Sequence, residues 1–218
     1  MGMTPASAVT GTVFLIRHGA TALNFQVPPR IQGNKSNHGL SPAGKIQAER
    51  TGTLLGILGC SKVYSSPLRR AQQTAELIAA RCQAAVVVVE ELIEVDAGQW
   101  EEMTWQEVGL SAPLEYAQFI ADPSAHGYLG GENLTDVLKR VLPAVTKIAQ
   151  LNRHRQVAIV SHNVVNRVVM SHLLGLSLSR ARELKQDNCG INVLRYQEDR
   201  LVVETLNSIF HLAEHVKH

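Results

Sequence analysis

Arg17, His18 and Gly19 follow the apolar run Val13-Phe14-Leu15-Ile16, with Ala20, Thr21 and Asn24 close behind. A buried strand that ends in a guanidinium, an imidazole and a glycine suits chemistry on an anion. Histidine serves as nucleophile or base near neutral pH. Arginine offers a planar fork matched to phosphate oxygens, and glycine lets backbone N–H groups come close to a ligand. Three more residues complete a constellation. Arg69, in Ser65-Ser66-Pro67-Leu68-Arg69-Arg70, is expected in the first turn of a helix opened by Ser66-Pro67, where free N–H groups favour anions. Arg70, one step round that helix, is expected to face elsewhere. His162 follows the apolar run 157–160 through Ser161 and repeats the geometry of His18. Glu94 leads into the loop Val95-Asp96-Ala97-Gly98-Gln99-Trp100-Glu101. Two arginines, two histidines and one carboxylate fit phosphoryl transfer, which needs charge neutralisation, positioning and proton delivery. Flanking cations keep His18 neutral and nucleophilic. A Glu94 carboxyl with a raised pKa protonates the leaving oxygen and then activates water.

The elements that must position these groups follow from pattern. Residues 13–16 read as a buried strand, and 62–65, 86–89 and 157–160 as three further strands. Ser41-Pro42 and Ser66-Pro67 each place a serine cap and a proline at a helix start; these helices run to about 58 and 82. Leu134, Val137, Leu138, Val141, Leu142, Val145 and Ile148 recur at helical spacing, so 132–151 is an amphipathic helix. A helix from 163 to about 174 follows the fourth strand, and 191–196 with 201–205 read as a closing hairpin. Alternation of strand and helix predicts a three-layer α/β/α domain with a mainly parallel central sheet. Ligands in such sheets bind at the carboxyl ends of the strands, where the constellation falls. The expected organisation is a flexible leader over 1–11, one domain over 12–207 with a small lid insertion at 95–131, and a C-terminal tail over 208–218.

Composition narrows the function classes. The chain has 218 residues, 45% of them hydrophobic and 18% charged, with a net charge of +2. That charge, and the lack of a basic run interleaved with aromatics, argue against nucleic-acid binding. No apolar stretch nears the roughly 20 residues of a membrane span, and 1–11 lacks the pattern of a signal peptide. Cys60, Cys82 and Cys189 are odd in number, with no CxxC pair, and read as reduced thiols of a cytoplasmic protein. No histidine pair has metal-site spacing, so neither metal nor cofactor is expected. His38, His126, His154 and His172 read as structural or solvated, and His211, His215 and His218 as tail residues. Phe25, Trp100, Trp105 and Tyr128 either line a pocket or pack the insertion. The closing hairpin offers an edge through which two copies could pair.

The stretch Leu15-Ile16-Arg17-His18-Gly19-Ala20-Thr21 resembles the signature of the histidine phosphatase superfamily, the phosphoglycerate-mutase-like proteins. The similarity continues through Asn24, Arg30-Ile31-Gln32-Gly33, Leu40-Ser41-Pro42-Ala43-Gly44, the run 65–75, Glu94, Gly130-Gly131-Glu132 and Val160-Ser161-His162, from about residue 12 to 196. The resemblance implies a phosphohistidine at His18, a phosphate pocket of Arg17, Arg69 and His162, Glu94 as general acid and base, and no metal. It implies substrate contacts at Asn24, Gln32 and Gly33; Thr21 and Asn163, beside the two histidines, join them. The chain departs from the family pattern at 34–40, at Asn163 where glycine is frequent, and at Glu102 where the loop often reads Trp-Glu-Gly. These departures bear on substrate. Three activities compete: hydrolysis of a small phosphate ester, a phosphoglycerate-mutase transfer, and catalytically silent binding of a phosphate ligand. The mutases resembled here carry a longer insertion with an arginine pair that grips a carboxylate. Residues 103–131 contain no arginine, which favours hydrolysis.

Overall fold

Residues 11–213 are described by a computed structural model of the chain. Gly11–Arg17 forms strand β1, whose side chains alternate between two faces. Val13 and Leu15 join one core cluster, Phe14 and Ile16 the other. The first cluster is capped by helices α5 (Leu134–Leu151) and α6 (Asn163–Leu173) through Val137, Val141, Val145, Val165 and Val168. The second is capped by α1 (Pro42–Ile57) and α2 (Arg69–Cys82) through Leu55, Ala71, Ala75 and Ile78. A strand covered on both faces reads as a continuous apolar run, as 13–16 does.

The sheet order is β3-β2-β4-β1-β5-β6, with β2 at Cys60–Ser65, β3 at Ala85–Val88, β4 at Gln156–Ser161, β5 at Ile191–Gln197 and β6 at Arg200–Ser208. Strands β1 to β4 are parallel; β5 is antiparallel to both of its neighbours. The architecture is the three-layer, mainly parallel one expected. The register matters most between β1 and β4, where Arg17 lies opposite Ser161. His18 and His162, each one residue further on, therefore leave the sheet side by side.

The segment between β3 and α5 carries α3 (Trp105–Ser111) and α4 (Pro113–Ala121). Its aromatic side chains are continuous with the main core, because Trp100, Phe119 and Tyr128 belong to the same cluster as Val13 and Leu15. Trp100 meets Phe119 edge-on at 5.4 Å, and Trp105 stacks on Phe119 at 5.5 Å.

Most boundaries differ from expectation by one or two residues, as where α5 starts at Leu134 and β3 covers Ala85–Val88; the differences that matter are at α2 and at the two ends. Helix α2 starts at Arg69, with Leu68 at its cap, not at Pro67. Ser66 instead prolongs the sheet: its N–H donates to the Val160 carbonyl at 3.0 Å, and its Oγ meets His162 Nε2 at 2.7 Å. At the amino end, Gly11 already belongs to β1, while 1–10 lie outside the described residues. At the other end, β6 reaches Ser208, and Phe210–Leu212 makes a 3-10 turn docked on α1. Arg50 donates to the Leu212 carbonyl at 2.8 Å and Thr51 Oγ1 meets His211 Nε2 at 2.9 Å. The tail assignment is therefore corrected up to 213; His215 and His218 lie outside the described residues. No described helix is long and apolar enough to cross a membrane.

Candidate active site

The site is built where β1 and β4 end. His18 is buried, with its ring centroid 5.2 Å from that of His162. Its Nδ1 lies 2.8 Å from the Gly19 carbonyl, which can only accept. That contact assigns the proton to Nδ1 and leaves a lone pair on Nε2. Arg70 Nε–H points at this lone pair from 3.2 Å. Burial, then the charges of Arg70 and Arg17, hold the His18 pKa well below its ordinary 6.5. His162 is held low in the same way, by burial first and by Arg70 next.

Arg70 is fully buried. It also donates to the Ser36 carbonyl and, at 3.0 Å, to that of Gly33. Arg69 is exposed, with its Nε beside Gly39; its backbone N–H donates to Asn37 Oδ1 at 2.7 Å. The expectation for the two arginines is thus reversed. A helix that begins two residues later than Pro67 turns Arg70 onto the buried stripe of Ala71, Thr74, Ala75 and Ile78 and sends Arg69 outward. Arg17 donates to the Gln186 carbonyl at 2.7 Å, while its buried Nε has no partner. Desolvation lowers its pKa to about 10, so it remains a cation.

Glu94 is buried at the N-terminus of α6. Its oxygens accept from the N–H groups of Val95 at 3.0 Å, Val164 at 3.2 Å and Val165 at 3.4 Å. Those bonds and the charges of Arg70 and Arg140 favour the carboxylate, yet desolvation outweighs them and raises its pKa. The backbone that carries Glu94 is clamped from outside. Arg140 donates to the carbonyls of Glu91 and Ile93, both at 2.7 Å, and of Glu94 at 3.1 Å. It is held by a two-pronged pair with Glu132 at 2.8 and 2.9 Å. Glu132 in turn accepts from the Asp96 N–H at 2.9 Å.

A groove of about 240 Å³ runs over these groups, lined by Arg17, His18, Asn24, Gln32, Glu94 and Asn163, with Arg30, Trp105, Tyr128 and Arg167 among the other walls. Asn24, Gln32 and Asn163 therefore face the groove. Thr21 is fully buried and acts on its neighbours, donating through Oγ1 to Gln32 Oε1 at 2.9 Å and through its N–H to Asn24 Oδ1 at 2.9 Å. Gly33 contributes backbone only: its N–H donates to Glu101 Oε1 at 2.7 Å and its carbonyl accepts from Arg70. A Cβ there would strike Ala97 and the Val95 carbonyl, both at 2.8 Å. Gly33 thus fastens the loop over Arg70.

Two residues at the site, one a groove wall and one behind it, escaped the sequence reading. Arg167, one helical turn after Asn163, donates Nε–H to the Leu184 carbonyl at 2.9 Å. Asn188 holds the His18 carbonyl at 3.0 Å. Arg70 was legible, since it stands four residues before Thr74 on a stripe that excludes Arg69. Arg167 carries no such mark. The groove walls set cationic Arg17, Arg30 and Arg167, with buried Arg70 behind His18, against one buried carboxyl. A dianionic phosphoryl group fits that balance, with a lone pair at His18 Nε2 to meet it and a proton at Glu94 to release its ester oxygen.

The sequence model of the histidine phosphatase superfamily (branch 1) matches residues 13–209. Phosphoserine phosphatase 1 of Hydrogenobacter thermophilus is 32% identical, over 93% of this chain and 94% of its own length. A probable phosphoglycerate mutase of Salmonella paratyphi A is also 32% identical, over 92% of this chain and 94% of its own. Among solved structures, YhfR of Bacillus stearothermophilus superposes with a TM-score of 0.85 at 26% identity, covering 93% of this chain and 100% of that one.

Proposed function

The chain belongs to the histidine phosphatase superfamily, and from that premise we propose that it hydrolyses a small phosphate monoester through a phosphohistidine on His18. The observation that carries this reading is the Nδ1 contact to the Gly19 carbonyl, which presents a neutral Nε2 lone pair next to the Arg70 guanidinium in a groove that Arg17 and Arg167 also line. Nε2 attacks phosphorus and the P–O ester bond breaks. The Glu94 carboxyl passes its proton to the departing oxygen. As a carboxylate it then takes a proton from water, the water oxygen bonds to phosphorus, and the P–N bond breaks to free inorganic phosphate and restore His18. Arg17, Arg70 and His162 cradle the equatorial oxygens throughout, so the mechanism draws its positive charge from side chains and asks for no metal.

Hydrolysis is favoured over mutase transfer because residues 103–131, which include α3 and α4, bring no arginine to grip a small acid during reorientation. Three unpaired cysteines support a reducing, cytoplasmic setting. The test is phosphate release from a panel of phosphomonoesters in EDTA, with 3-phosphoglycerate isomerisation followed in parallel and His18→Ala as control. Release in EDTA that vanishes in the variant, with acid-labile phosphate trapped on the wild-type protein, is the expected result. Isomerisation outrunning release would make the chain a mutase; release that persists in His18→Ala would remove the nucleophile assignment.

A further inference from the structure

Beside the catalytic groove lies a second cavity of about 430 Å³. The two share Trp105, Tyr128, Val164 and Arg167 as walls. The walls the groove does not share include Tyr116 and Phe119 from α4, and Arg182. No carboxylate stands among its walls. Arg182 is exposed at the rim and enters no salt bridge among the described residues, because the adjacent carboxylate, Glu183, is taken by Arg180 at 2.7 Å. Arg167 is likewise without an ion pair there and donates only to the Leu184 carbonyl.

On the phosphatase reading the ester oxygen of a phosphoryl group on His18 faces Glu94, and Tyr128, a wall of both cavities, borders the path of the alcohol half. A serine- or glycerate-sized body would leave the chamber unfilled. Its volume lies within the roughly 300–1,000 Å³ typical of sites that enclose a drug-sized ligand. Resting on the phosphatase reading, we infer that the chamber is the leaving-group subsite for an alcohol with a flat, apolar body and a second anionic group at its far end. The ring packs among Trp105, Tyr116, Phe119 and Tyr128, where offset and edge-on contacts are favourable. The distal anion, a carboxylate or its equivalent, meets Arg182 at the rim. The substrate class is therefore an anionic aromatic alkyl phosphate, not the phosphate of a three-carbon acid.

Three esters with leaving alcohols of similar basicity test this: glycerol phosphate, phenylpropyl phosphate and carboxyphenylpropyl phosphate. For the wild type, kcat/KM should rise about ten- to a hundredfold from the first to the second, the value of one buried ring. It should rise by a further factor of about five for the third, as expected of a half-exposed charge pair. Ile120, another chamber wall, is 37% exposed, so Ile120→Trp fills the cavity without disturbing the buried core. It should bring the phenylpropyl-to-glycerol ratio toward one. Arg182→Ala should erase only the ratio of the carboxylated to the plain ring. Calorimetric binding of the same esters to His18→Ala separates the two claims. Ring- and Arg182-dependent affinity without any turnover by the wild type would retain the chamber and overturn the phosphatase reading. Turnover of all three at equal kcat/KM, with ratios unmoved by Ile120→Trp, would overturn the chamber and leave the phosphatase reading standing.

Discussion

The groove and the chamber share walls but come from different parts of the chain by different rules. The groove and the groups behind it collect residues carried just past parallel strands: His18 after β1, His162 after β4, and Arg70 in the first turn of α2, the helix after β2. Backbone ladders fix its geometry, as the Arg17–Ser161 register shows. The chamber is assembled from α3, α4, α6 and the turn Leu178–Glu183, with aromatic packing in place of sheet hydrogen bonds. One cavity is charged and wired by named bonds; the other is apolar and shaped. The proposed reading assigns chemistry to the first and discrimination to the second, so substitutions in the two should differ in kind.

The sharpest break of that division lies within the groove. Arg70→Ala should lower kcat/KM by about a thousandfold, the scale of losing one preorganised donor to a developing charge. Arg69→Ala, one residue away, should stay within about twofold. The pair is checked by steady-state kinetics on one alkyl ester, with circular dichroism to confirm folding. Equal losses at both positions would mean that a diffuse positive field matters and the position of the guanidinium does not.

Next in size is Glu94→Gln. An amide cannot supply the proton, so an alkyl ester should slow by about 10²- to 10⁴-fold. Nitrophenyl phosphate needs no proton on its leaving oxygen. Its first step should survive while water attack fails, giving a burst of nitrophenolate followed by slow turnover. A uniform loss on both esters, without a burst, would contradict the acid role.

A smaller effect is expected at Arg140, which holds the backbone of Glu94 without lining the groove. Lysine keeps the charge but cannot span three carbonyls and the Glu132 carboxylate. Arg140→Lys should lower the alkyl-ester rate by about tenfold, the usual scale for an outer partner that orients a functional group, and the nitrophenyl rate by less. A merely structural loss would reduce both rates in parallel, so the ratio is the readout.

The division between cavities also explains what could be read in the sequence. Strand ends were visible because 13–16 and 157–160 are unbroken apolar runs, so His18 and His162 could be placed together without coordinates. Glu94 was visible as a carboxylate just past a strand, although its seat on the N-terminus of α6 was not. Arg69 and Arg70 were confused because Ser66-Pro67 looks like a helix start, while Ser66 is in fact engaged by Val160 and His162. A helical position wrong by one residue rotates the assignment by about 100°. The spacing of Ala71, Thr74, Ala75 and Ile78 held the correct answer. Arg167, Asn188 and the chamber left no local trace, because each depends on contacts between segments distant in sequence.

The last difference between the two cavities concerns protons. His18 and His162 are buried neutral, with pKa values held well below 6.5. The unfolded chain takes up protons near 6.5 that the native groove refuses. Their contribution to stability is therefore complete above pH 6.5 and is lost as pH falls below it toward the folded values. Each group adds a slope approaching 1.4 kcal/mol per pH unit within that window. Glu94 acts in the opposite sense, since its folded pKa is raised. It favours the fold as pH drops through its own raised value toward 4.5, so the net slope is shallower than two histidines alone would give. At about 2–4 °C per kcal/mol for a chain of this size, thermal melts between pH 6.5 and 5 should show a decline of a few degrees. His162→Asn should flatten that decline by one group's share. Ile120→Trp should run parallel to the wild type, because the chamber holds no histidine or carboxylate. Were the chamber variant to flatten the slope as much as His162→Asn does, the two cavities would share one electrostatic unit, and the separation of chemistry from discrimination would fail.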